Sequence, residues 1–290
     1  MRILILGAGG MLGHALLRQL ERRHEVAATL RLERAAYAGQ RLFDGRKAYH
    51  GVDVRHTESL VEVLADFRPD VVVNAIGIVK QRPQAGAPSH SIEINALFPH
   101  RLVALCRAVG ARLVHFGTDC VFSGRTGGYR DADVSDAEDL YGRTKYLGEV
   151  SDPAAITLRT SMIGAELGHK TGLLEWFLAQ RATVKGYTQA IFSGLTTLEL
   201  ARVVDKIVVE FPAATGIYNV AADPISKYRL LCLIRDAMKL AVEIVPDGSY
   251  RCDRSLDASR FRAQFRYQPP SWEAMVTELV SDLTGRATRS

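Results

Sequence analysis

Along the first half of the chain, short apolar blocks alternate with longer stretches in which apolar residues recur every three or four positions. The first block is residues 2–6 (Arg-Ile-Leu-Ile-Leu), and residues 12–23 follow as an amphipathic helix. The same alternation predicts strands over 25–30, 50–54, 70–75, 111–116 and 155–159. It predicts helices over 58–67 and 91–109, and one carrying Tyr141 and Lys145 to about residue 150. Pro69 breaks one helix and Gly110 caps another. Strands apolar on both faces, such as 70–75 (Asp-Val-Val-Val-Asn-Ala), indicate a parallel sheet covered on both sides. The expected fold is therefore α/β, a Rossmann-type doubly wound parallel sheet with right-handed crossovers.

After residue 159 the alternation fades. Helices are predicted over 173–180, 198–211, 226–240 and 271–283, with short strands over 217–221 and 242–245. This half reads as a smaller C-terminal α/β substrate lobe closing over the carboxyl edge of the sheet, where open α/β sheets bind ligands. The expected division is a NAD(P)-binding domain over 1–155 and a substrate-binding lobe over 156–290, interleaved with the first. No repeat, linker or low-complexity segment interrupts the chain.

At 290 residues, 47% hydrophobic and 24% charged, the composition is that of an ordinary globular protein. No apolar run reaches the roughly 18 residues of a membrane span. The N-terminal apolar block runs straight into glycines, so it reads as a strand and not as a targeting signal. Cys106, Cys120, Cys232 and Cys252 have neither paired nor metal-like spacing, and the histidines form no metal-spaced cluster. Reduced thiols in a cytoplasmic protein are expected. The net charge of +5 raises the question of nucleic acid, but no aromatic–basic interleaving supports it. The basic residues gather over 18–47 and 251–266, a field suited to anionic nucleotides. No nucleic-acid or membrane partner is expected, and a homodimer is one assembly left open.

Two motifs carry chemistry. Gly7-Ala8-Gly9-Gly10-Met11-Leu12-Gly13 lies between the first strand and the first helix and fits both G-x-G-x-x-G and G-x-x-G-x-x-G. Gly7 permits the tight turn, Gly10 the approach of a pyrophosphate, and Gly13 close packing of helix on strand. Met11 and Leu12 complete this cofactor loop. Arg31, at the end of the second strand where NAD sites place an acidic residue, suits a 2′-phosphate. NADP (as NADPH) is expected in preference to NAD, with NAD still open. Asp53 and Val54 meet the adenine edge or, alternatively, Asp53 caps the next helix. The second motif is Tyr141-Gly142-Arg143-Thr144-Lys145. Residues four apart share a helix face, and an ammonium beside a phenol favours the phenolate, making a usable acid–base pair. Together the motifs point to nicotinamide redox chemistry on a carbonyl or alcohol.

With these residues the chain resembles an extended short-chain dehydrogenase/reductase, and more narrowly the dTDP-4-dehydrorhamnose reductase group. The glycine loop, Val73-Asn74-Ala75, Ile94-Asn95, residues 113–124 (Leu-Val-His-Phe-Gly-Thr-Asp-Cys-Val-Phe-Ser-Gly), Tyr141 to Lys145 with Leu147-Gly148-Glu149, and residues 255–261 carry the resemblance. It implies an NAD(P)H-dependent reductase of a nucleotide-linked 4-keto-6-deoxy sugar, serving cell-surface polysaccharide precursor synthesis. By position, Thr118 would hydrogen-bond the substrate carbonyl, Tyr141 would be the general acid, and Lys145 would support it and hold the nicotinamide ribose. Ala75, Ile76 and Gly77 would lie against the cofactor.

The chain departs from this group at two places. Cys120 stands where many members have Tyr, and the loop after Asn74 lacks their tyrosine and acidic residues. Both positions face the sugar in the family, so the sugar can differ. Lys80, Cys120 and Trp176 are further candidates for substrate contact; an exposed loop role for Lys80 and a core role for Trp176 and Phe177 are the alternatives. A 4,6-dehydratase would need an Asp-Glu pair after the Thr, but Cys120 follows Asp119 here. An epimerase would have an acidic residue at Arg31. A non-catalytic NADP-binding regulatory subunit of the same fold and a sugar-nucleotide epimerase are the alternatives that stay open.

Overall fold

The computed structural model describes residues 1–79, 87–168 and 170–287. The strands are β1 (Arg2–Leu6), β2 (Glu25–Thr29), β3 (Lys47–Tyr49), β4 (Val71–Asn74), β5 (Arg112–Phe116), β6 (Ala155–Arg159), β7 (Met162–Ile163), β8 (Val184–Phe192), β9 (Leu195–Thr196), β10 (Gly216–Asn219), β11 (Ile225–Ser226) and β12 (Ile244–Asp253). The α-helices are α1 (Met11–Leu20), α2 (Thr57–Phe67), α3 (Pro88–Ser91), α4 (Phe98–Ala108), α5 (Leu140–Leu147), α6 (Leu173–Leu178), α7 (Thr197–Glu210), α8 (Lys227–Met238), α9 (Ser259–Phe265) and α10 (Trp272–Ala287). The chain divides into two compact units. The first comprises Met1–Gly117, Asp139–Leu158 and Ala201–Ile217; the second comprises Thr118–Glu138, Arg159–Leu200 and Tyr218–Ser290.

The main sheet has the order β10-β6-β5-β4-β1-β2-β3. The pairs from β6 to β3 are all parallel. Order reverses at β1, whose neighbours are β4 and β2, and this is the switch point at which α/β sheets open a crevice. Helix α2 shows why these segments fold as they do. Leu60, Val63, Leu64 and Phe67 recur at helical spacing and are buried, Arg68 ends the helix in the left-handed region, and Pro69 follows. Its buried face joins Leu4, Leu6, Val72 and Leu102 in the core of the first unit.

Three expectations need correction. The third strand is Lys47–Tyr49, not 50–54. Gly51, at φ +70°, turns the chain out of the sheet, and 52–54 become loop. The helix predicted over 91–109 is interrupted by a π-helical turn over Ile92–Leu97. Pro99 has no N–H to give the residue four before it, so the Asn95 carbonyl loses its α-helical partner and the turn widens. In the second unit, β8 forms where no strand is expected, and β12 runs through Asp253, well beyond residue 245. β8 pairs with β11 antiparallel and with β12 parallel, with a register irregularity between Asp247 and Arg251. Helix α8 lies close on β8, because a Cβ on Gly186 would stand 2.7 Å from the Tyr228 ring.

Candidate active site

In the first unit one cleft opens at the carboxyl ends of β1, β2 and β4. Gly7 and Gly10 line it, together with Arg31 after β2 and Asp53 and Val54 after β3. Ala75, Ile76 and Gly77, from the loop after β4, line it as well. Gly7 has φ +80°, a left-handed turn suited to glycine. A Cβ on Gly13 would stand 2.2 Å from the Gly7 carbonyl oxygen, so α1 can meet the turn this closely only through a glycine. Met11 and Leu12 open α1, Gly10 is its N-cap, and no side-chain cap or acidic residue occupies its first turn. The unsatisfied N–H groups and the positive helix end therefore suit a pyrophosphate. The exposed Arg31 guanidinium stands at the rim. These residues fit a nicotinamide dinucleotide.

Asp53 does not cap α2, whose N-cap is His56. Its carboxylate accepts Arg55 Nε at 3.0 and 3.1 Å, and Arg55 holds it well below the usual carboxylate range, at about 2. Arg55, Thr29, His90 and Ile94 also line the cleft and were missed in the sequence. Thr29 left a signal as the last residue of a strand, and its hydroxyl accepts the Gly7 N–H at 3.2 Å; Ile94 left one in the Ile94-Asn95 motif.

Helix α5 starts at the Asp139 cap, which accepts the Gly142 N–H at 2.9 Å. Tyr141 is half-buried. One turn later Lys145 is buried, and its ammonium donates to the Phe116 carbonyl, the last of β5, at 2.7 Å. Burial pushes Lys145 down to about 8, with Glu149 acting in the opposite sense. The helix is held from two sides. Thr144 donates to the Tyr141 carbonyl at 3.0 Å and lies 3.5 Å from Asn95 Nδ2. A Cβ on Gly148 would sit 1.8 Å from the Asn95 carbonyl oxygen in the π turn. Asn95 also clamps the cleft loop, accepting Ile78 N–H at 2.9 Å and donating to Ile78 O at 3.0 Å. Asn74 accepts the Ile76 N–H at 3.1 Å and lies 3.1 Å from His115 Nδ1. Burial lowers His115 well below the ordinary histidine range, so the ring is neutral there.

Thr118 follows that strand directly and belongs to the second unit. It is buried, caps a short 3-10 turn over Asp119–Val121, accepts the Cys120 N–H at 3.2 Å and donates to Asp119 at 3.2 Å. Cys120 is half-buried. Phe177 is core, while Trp176, its neighbour on α6, is 43% exposed. Lys80 lies outside the described residues. All four cysteines are free thiols. Among the described residues no helix is long and apolar enough to cross a membrane.

The family model described as the RmlD substrate binding domain matches residues 1–284. The chain belongs to this family. As an RmlD-like extended short-chain dehydrogenase/reductase it is similar to the dTDP-4-dehydrorhamnose reductase of Aggregatibacter actinomycetemcomitans, 24% identical over 299 residues, 94% of this chain and 96% of that protein. It is similar over 150 residues to methionine adenosyltransferase 2 subunit beta of Bos taurus, with 30% identity, covering 51% of this chain and 41% of that one. The dTDP-4-dehydrorhamnose reductase of Bacillus anthracis, solved in complex with NADP, shares the RmlD fold. Its TM-score is 0.80 at 19% identity, covering 97% and 99% of the two chains.

Proposed function

We propose that this chain reduces the ketone of a nucleotide-linked 4-keto-6-deoxy sugar, with NADPH as the preferred reductant, in cytoplasmic synthesis of a polysaccharide precursor. The observation that carries the reading is the buried Lys145 ammonium, fixed on the Phe116 carbonyl one helical turn after Tyr141. When bound, the nicotinamide supplies a hydride to the carbonyl carbon. The residues of the chain deal with the oxygen. Tyr141 donates a proton to it, and Thr118 donates a hydrogen bond, turning its hydroxyl from Asp119. The Lys145 ammonium stabilises the phenolate left on Tyr141 and holds ribose hydroxyls. Its buried setting strengthens both effects, because the local dielectric is low. Arg31 faces the adenosine end and pairs with a 2′-phosphate, which favours NADPH over NADH.

The complete set of Thr118, Tyr141 and Lys145 and the full-length likeness to a reductase support an enzyme. The likeness to methionine adenosyltransferase 2 subunit beta favours a second reading, an NADP-binding regulatory subunit, but it spans about half of this chain. Spectrophotometric NADPH oxidation with a panel of dTDP- and UDP-linked 4-keto-6-deoxy sugars separates the two. Turnover abolished by Tyr141→Phe is the expected result. NADPH binding without turnover of any member of the panel would favour the regulatory subunit.

A further inference from the structure

The second unit holds two half-buried cations that the proposed reaction does not use. Lys227 is the first residue of α8, and its Nζ stands 4.3 Å from the centroid of the Phe192 ring at the end of β8. The pairing of Ser226 with Ile191 brings these two ends together. Among the described residues no carboxylate lies within 4.0 Å of this ammonium and no acceptor takes a hydrogen bond from it. Arg254 follows β12 directly. Its Nε donates to the Phe122 carbonyl at 2.8 Å, which leaves the two terminal nitrogens of the fork without an acceptor among the described residues. Both cations feel the same three groups, Asp119, Cys120 and Cys252. Asp119 is the one carboxylate in that set, and its oxygen already accepts the Thr118 hydroxyl. Two cations therefore share one carboxylate, which is not in ion-pair contact with either.

The Phe192 face attracts the ammonium and the Phe122 carbonyl fixes one guanidinium nitrogen, but neither supplies the counter-charge that a partly desolvated cation favours. The pinned fork also presents its remaining donors in the planar arrangement that binds oxyanions. We propose that Lys227 and Arg254 form an oxyanion subsite beside the Asp119–Cys120 turn, taking a carboxylate or phosphoryl group of the substrate. Burial lowers Lys227 from the ordinary lysine value, as expected of an ammonium waiting for a counter-charge. The subsite adjoins the residue that follows Thr118 in the chain, so it reads the substrate close to its reacting sugar. That last step rests on the reductase reading; the oxyanion preference does not.

Calorimetric titration of the full chain with dTDP-glucose, UDP-glucose, UDP-glucuronate and inorganic pyrophosphate tests the subsite without turnover. Wild type is expected to bind at least one probe. Lys227→Met and Arg254→Met should each weaken that binding about tenfold or more, while Lys227→Arg stays within about threefold and NADPH affinity is unchanged. Losses shared by all the probes that bind identify phosphoryl oxygens as the ligand. Losses confined to UDP-glucuronate identify a sugar carboxylate. Should Lys227→Met fail to fold, Lys227→Gln carries the same test. No binding of any probe by wild type, or affinities within twofold of wild type in the neutral variants, would overturn the subsite. The reductase reading is judged separately, by NADPH oxidation and its dependence on Tyr141.

Discussion

The cleft of the first unit and the oxyanion subsite proposed beside the Asp119–Cys120 turn of the second are built differently. The cleft is made of backbone: a left-handed Gly7, the uncapped first turn of α1, and a Gly13 that leaves no room for a Cβ. The turn feels the charges of side chains from distant parts of the chain, Lys227 from α8 and Arg254 from the end of β12, the latter bound to the Phe122 carbonyl just after the turn. Backbone recognition depends on glycine spacing and serves any dinucleotide. Side-chain recognition depends on which residues meet, and it can change from one member of a family to the next while the fold stays the same.

The largest expected effect lies outside both anion sites. Tyr141→Phe removes one hydroxyl and should lower turnover by roughly two to four decades while NADPH affinity in calorimetry stays at the wild-type value. Parallel losses of binding and turnover would mean that the cleft and the acid cannot be separated. Gly13→Ala probes the backbone side of the comparison. Its Cβ would collide with the Gly7 carbonyl, so α1 must shift; NADPH affinity should fall by tenfold or more, and thermal unfolding should show a loss of about 1–3 kcal/mol. Wild-type affinity in that variant would show that the close approach is not needed.

Arg31→Ala touches a side chain in a site otherwise built of backbone. It should weaken NADPH by roughly one to two decades and leave NADH nearly unchanged. Equal effects on the two cofactors would remove Arg31 from their discrimination. The smallest effect is graded with pH. Lys145 is lowered to about 8, so it is charged below that pH and loses its proton as pH rises through it. In a pH series, kcat/KM with NADPH should fall on an alkaline limb near pH 8. The stability cost of burying the ammonium is present below about 8 and is relieved as pH rises from there toward the unfolded value of 10.5. Stability should therefore rise over the window in which activity falls, and a joint fall would contradict the assignment.

The same contrast explains what could be read from the sequence. The alternating blocks and the glycine spacing are local signals, and the parallel sheet with β1 at the switch point follows from them. Tyr141 and Lys145 are legible because one helical turn joins them. The loop at 52–54 was mistaken for a strand because Val52 and Val54 are apolar; they serve a cleft instead of a ladder. The π turn left only the combination of Asn95 and Pro99 as its trace. Arg55 and His90 gave no local sign of lining the cleft, and the placing of Lys227 beside Phe192 needs the β8–β11 pairing, which no short window contains. β8 and β12 escaped because glycine, proline and polar residues interrupt their apolar pattern.

Deuterium transfer decides whether this chain delivers hydride to a keto-sugar nucleotide. The wild-type chain is incubated with NADPH carrying deuterium at the transferable nicotinamide position and with dTDP- and UDP-linked 4-keto-6-deoxy sugars, and the products are weighed by mass spectrometry. A reduced nucleotide sugar with the deuterium on the former carbonyl carbon is the expected product, and Tyr141→Phe is expected to form it far more slowly. Tight NADPH binding with no deuterium transferred to any member of the panel would contradict hydride delivery by this chain.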